Sequence, residues 1–146
     1  MSLAKASTML PDITLQPLGA LDLAGAQQAF DRFPWEKHLR RAEEMGAAGE
    51  NCVNPDITFR IDHCHIITTI CDNGTEFDIE VCVPRERGFL GKLLGPKFYS
   101  AKDVTSAKCK DALKIFFTRS ASEQRSYFTE LRVAPPSKSL ERTRER

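Results

Sequence analysis

The chain lacks any apolar run that could cross a bilayer, since nowhere do about 18 consecutive apolar residues occur. Its first residues also lack the charged region and apolar stretch of a signal peptide. Both absences predict a soluble, cytoplasmic protein with no membrane span. Charge of one sign is missing as well. Lysine and arginine number 21 against 20 acidic residues, a net charge of +1, so no global field draws the chain to nucleic acid or an anionic membrane, and any such patch must be local. Regular cysteine spacing is absent: Cys52, Cys64, Cys71, Cys82 and Cys109 are an odd number at irregular intervals, which fits reduced thiols better than a disulfide framework. There is no C-x-x-C and no H-E-x-x-H, and Gly88, Gly91 and Gly95 do not form G-x-x-x-x-G-K-[ST], so nucleotide binding is disfavoured. No catalytic signature stands out. Whether the chain is an enzyme is left open, with the balance against it.

What the sequence does contain is a β-hairpin signal from Asp56 to Val83. Ile57 to Ile70 is rich in β-branched residues, and Thr75 to Val83 alternates Phe77, Ile79, Val81 and Val83 with Glu76, Asp78, Glu80 and Cys82. Asn73-Gly74 between them suits a two-residue type I′ turn, because both residues tolerate positive φ. Counting outward from an Asp72–Thr75 pair sets Ile70 against Phe77, Thr68 against Ile79, Ile66 against Val81 and Cys64 against Val83 on a core face. The other face then collects Cys71 with Glu76, Thr69 with Asp78, Ile67 with Glu80, and His65 with Cys82.

On that polar face His63, His65 and Cys82 could converge, with Glu80 diagonal to His65, because directly opposed residues have Cβ atoms roughly 5 Å apart. Imidazole and thiolate suit zinc. The simpler account of the same residues, and the preferred one, is a solvated sheet face whose histidines offset the row Glu76, Asp78, Glu80. A Cys82 nucleophile activated by His65 would need an oxyanion site in addition. No cofactor is expected, zinc at His63, His65, Cys82 and Glu80 being the alternative.

Elsewhere, Met1 to Pro11 shows no periodic pattern and is expected to be unordered, and Ile13 to Leu18 permits a short edge strand. Leu21 to Met45 carries helical spacing broken at Pro34, with Trp35 as a core anchor and His38 as a half-exposed helix residue. Pro84 to Tyr99 mixes glycine and proline with Phe89, Leu90, Leu93, Leu94, Phe98 and Tyr99. Such an apolar, basic loop either caps the core or marks a contact site, and Phe89, Leu90, Lys92 and Leu93 are the candidate partner-binding residues. Ser100 with Asp103 resembles a helix N-cap, followed by an apolar stripe through Cys109, Ala112, Leu113 and Phe116. Lysines line the outer side of this helix, an ordinary solvated face with no aromatic platform, so nucleic acid is disfavoured. Ser120 with Glu123 starts a further helix from Ala121 to about Leu131, which competes with a strand over 127–133. Pro135 to Arg146 lacks the apolar area to order itself.

The expected fold is α+β, one domain over residues 12–134 with flexible tails at 1–11 and 135–146. A long antiparallel hairpin, part of a small sheet of three to four strands, is covered by N-terminal and C-terminal helices. The expected function is a small non-catalytic protein-interaction or regulatory module with a protein partner. A homodimer through a sheet edge is compatible with this, and metal binding through the hairpin is the alternative.

Overall fold

In a computed structural model that describes residues 2–85 and 93–132, alternation of side chains builds a six-stranded antiparallel sheet. Its strands are β1 (Ala4–Met9), β2 (Leu15–Leu21), β3 (Asp56–Ile61), β4 (Cys64–Ile70), β5 (Glu76–Val83) and β6 (Lys97–Thr105), in the spatial order β2-β1-β3-β4-β5-β6. Four helices among the described residues accompany it: α1 (Leu23–Arg32), α2 (Trp35–Ala47), α3 (Ser106–Thr118) and α4 (Ala121–Arg132). The class is α+β, but the expected three to four strands are corrected to six.

Three local errors account for the extra strands. The run Ile57 to Ile70 is two strands, because the chain reverses at Asp62-His63 and pairs Ile61 with Cys64 and Arg60 with His65. Asp62 takes φ +52°, a left-handed conformation that aspartate tolerates better than most residues. Residues 4–9, expected to be unordered, form β1, which pairs with β2 on one side and β3 on the other. Ala4, Ala6 and Thr8 are buried and alternate with Lys5, Ser7 and Met9, a strand pattern carried by side chains too small to stand out by hydrophobicity. Finally, Ser100 and Asp103 do not cap a helix. They lie in β6, and the true N-cap is Thr105, whose Oγ1 accepts the Lys108 N–H at 3.3 Å.

The expected hairpin register is present: Ile66 faces Val81, Thr68 faces Ile79 and Ile70 faces Phe77. Its turn differs from type I′. Gly74 has φ +75° whereas Asn73 does not enter the positive region, and the Cys71 N–H donates to the Glu76 carbonyl at 2.8 Å to close a four-residue loop. Asn73 Oδ1 accepts the N–H groups of Thr75 and Glu76, which ties the loop to the start of β5.

Among the described residues, helices cover one face of the sheet only. Ile57, Phe59, Ile66, Ile70, Phe77, Ile79, Val81 and Val83 share a buried cluster with Phe30 of α1, Leu113, Phe116 and Phe117 of α3, and Phe128 of α4. Phe59 meets Phe117 with ring centroids 6.2 Å apart, and Tyr99 meets Phe128 at 6.3 Å. Pro34 separates α1 from α2 as its missing N–H requires, and Trp35 folds back so that its Nε1–H donates to the Phe30 carbonyl at 2.8 Å. Cys109 is sealed in the core. The cap at Ser120 is present: its Oγ accepts the Glu123 N–H at 3.2 Å and opens α4, a helix where 127–133 had a competing strand reading. The segment 135–146 lies outside the described residues.

Candidate functional site

Residues directly opposed across an antiparallel pair share a face, so the register fixes what the sheet presents on the side away from the helices. One row crosses the strands as Ala20, Lys5, Arg60 and His65, and the register carries it on through Cys82, which is paired with Phe98. A middle row runs Ser7, Thr58, Ile67, Glu80, Ser100. A third runs Leu15, Met9, Asp56, Thr69, Asp78. The first row is cationic with an aromatic end, the third acidic. Arg60, Glu80, Phe98 and Ser100 are exposed, and Thr58, Ile67, Thr69 and Asp78 are half-buried.

Among the described residues, the expected ligand set of His63, His65, Cys82 and Glu80 is not brought to metal-ligand spacing. His63 sits exposed on the β3–β4 turn instead of in a strand, and Glu80 lies a row away from His65. Cys82 is 1% exposed, and its thiol donates to the His63 carbonyl at 3.7 Å. Burial pushes the neighbouring Cys64 thiol up to about 12, with Cys82 and Asp62 adding to the shift, so Cys64 is a protonated thiol at neutral pH. His65 is drawn below its ordinary value by burial and by Arg60 beside it, against an opposing pull from Glu80; at neutral pH it is an uncharged imidazole. Its ring lies 6.2 Å from that of Phe98.

Among the described residues, the side chains that do converge at metal-ligand spacing are Cys71, Asp78 and Asp103. The Cys71 thiol donates to Asp78 Oδ1 at 3.3 Å and stands 4.0 Å from Asp103 Oδ1, and Asp78 Oδ1 also accepts the Asp103 N–H at 3.2 Å. Asp103 reaches the cluster from a bulge in β6, where its φ is +58°. Burial, the hydrogen bond to Asp78 and the two carboxylates push Cys71 up to about 12. The hairpin register alone brings Cys71 near Asp78, but reading Asp103 as part of a helix start hides the third member.

Of the partner-binding candidates, Phe89, Leu90 and Lys92 lie outside the described residues. Leu93 is 67% exposed, and Leu94 and Phe98 are 62% and 65% exposed within five positions of it. Phe98 belongs to β6, whose outer edge pairs with no strand among the described residues.

Asp56, in the acidic row, carries a pH consequence. Burial raises its carboxyl above the ordinary 3.8 and Glu80 raises it further, against a lowering hydrogen bond from the Met9 backbone. A carboxyl raised on folding favours the folded state below its unfolded value and loses that contribution as pH rises through the folded value. Asp56→Asn should therefore raise the urea midpoint at pH 7 and leave it almost unchanged near pH 3. An equal shift at both pH values would contradict the assignment.

Comparison with protein-family models, with curated proteins and with solved structures finds no match to this chain.

Proposed function

We propose that this chain is a non-catalytic protein-interaction module that offers a protein partner the helix-free face of its sheet and the outer edge of β6. One observation carries the reading: the helices pack on a single face, and beside the outermost strand Leu93, Leu94 and Phe98 leave large apolar side chains in water. Clustered exposed apolar groups mark contact surfaces more often than isolated ones do. An edge strand adds the means for pairing with an extended segment, because its outward N–H and C=O groups have no strand beside them among the described residues. The edge at β2 suits pairing less well, since Pro17 lacks a donor and Gly19 has φ +87°.

Affinity purification from cells with the wild-type chain, a Leu93→Asp/Phe98→Asp double variant and a Lys114→Glu control tests this. The expected result is a stoichiometric protein retained by the wild type and the control and lost by the double variant, with all three showing the same thermal melting. Equal retention by all three would refute the reading.

A second reading, metal binding, is favoured by the Cys71, Asp78, Asp103 convergence, a sulfur from the loop after β4 and two oxygens from β5 and β6. Cobalt(II) would then displace the thiol proton and produce a thiolate charge-transfer band that Cys71→Ser abolishes. A titration that gives no band disposes of it.

A further inference from the structure

The cationic row asks for an explanation of its own. Two cations, Lys5 and Arg60, stand directly opposite one another on adjacent strands, and the neutral His65 faces Arg60 from the next strand. Like charges in that position destabilise a sheet, and Lys5 and Arg60 make no salt bridge among the described residues. Beside them the face is concave. A hollow of about 550 Å³ is lined by Leu3, Lys5, Gly19, Ala20, Arg60 and Asp62, a lining of three apolar or small residues, two cations and one acid. At the other end of the same row stands Phe98.

Taking these together, we infer that this row docks a segment of a protein partner that is acidic at its centre and apolar at both ends. The inference rests on the interaction-module reading and names the chemistry of the partner. Carboxylates of the segment would pair with Arg60 and Lys5, one apolar side chain would enter the hollow beside Leu3, and another would cover Phe98. Six strands at about 4.8 Å spacing span about 24 Å, which an extended segment of about seven residues crosses. A phosphate backbone fits less well, because among the described residues of the row Phe98 is the one phenyl or indole ring on which a base could stack.

The test is fluorescence anisotropy with three labelled probes: a peptide of glutamates flanked by leucines, the same peptide with lysines for glutamates, and a single-stranded oligonucleotide. The expected result is saturable binding of the glutamate peptide alone, weakened by salt. Arg60→Glu should reduce it roughly tenfold or more while Lys114→Glu leaves it unchanged. Arg60→Ala, which avoids a charge reversal should that variant fail to fold, should weaken it less. Three results would overturn the inference: equal binding of both peptides, tighter binding of the oligonucleotide, or a dimer in sedimentation that Arg60→Glu dissolves, which would assign the row to a second copy. If the peptides fail while a cellular partner is still lost on Leu93→Asp/Phe98→Asp substitution, the acidic-segment inference falls and the interaction-module reading stands. If neither experiment shows binding, both fall.

Discussion

A chain shortened to begin at Leu10 is expected to lose cooperative folding. The removed strand, β1, is internal: it pairs with β2 through Ala4–Leu21 to Met9–Leu15 and with β3 through Lys5–Arg60 to Met9–Asp56. Deleting it orphans the backbone groups of both neighbours and detaches β2 from the sheet altogether. It also removes the Thr8 hydroxyl, which donates to the Asp56 carbonyl at 2.7 Å, and uncovers the flank of the fully buried Ile57 and Phe59. Unpaired buried backbone groups cost about 1–3 kcal/mol each, and several at once exceed the stability of about 5–15 kcal/mol that a domain of this size holds. Far-ultraviolet circular dichroism with urea titration decides the matter. A sigmoidal transition at the wild-type midpoint would show that β1 contributes nothing.

The second large effect is expected from Phe59→Ala. Phe59 is fully buried at the centre of the sheet, paired with Ala6 on one side and Ile66 on the other, and its ring meets Phe117 of α3. Truncation removes the ring that meets Phe117 of α3 and leaves a cavity, at a cost of about 3–5 kcal/mol. Phe98→Ala provides the internal comparison, since that ring is largely in water and should change stability by about 0.5 kcal/mol or less. Similar losses for both variants would mean that the helices do not cover the face assigned to them.

The central hairpin is legible in the sequence because parity survives a change of loop. Closing at Cys71–Glu76 instead of Asp72–Thr75 lengthens the loop by one residue on each side, so every pair beyond it keeps its partner and its face. The reversal at Asp62-His63 is not legible: it carries neither asparagine-glycine nor proline and sits inside a run of strand formers. β1 escapes for a different reason, because alanine at positions 4 and 6 supplies burial without a hydrophobic peak. In β6 the bulge at Asp103 interrupts the alternation, and Ser100-x-x-Asp103 imitates a helix cap closely enough to hide a strand. The candidate site suffers from all three misreadings. Lys5, Arg60 and His65 come from strands that are far apart in sequence or were merged into one, so no local spacing reveals their alignment, and His63 moves from a strand to a turn. Leu93 stands out in the sequence because three leucines and a phenylalanine crowd a short glycine-rich stretch, and its side chain is 67% exposed.

The reading depends on one sheet face being left for a partner, and photo-crosslinking from inside cells tests that most directly. A benzophenone side chain at Ser100, exposed in the middle row of the helix-free face, is compared with one at Lys114, exposed on α3. The expected outcome is a discrete crosslinked protein from position 100 that disappears with Phe98→Asp, and no such product from position 114. Identical products from both positions, or products from 114 alone, would contradict the claim that the helix-free face is where this protein meets its partner.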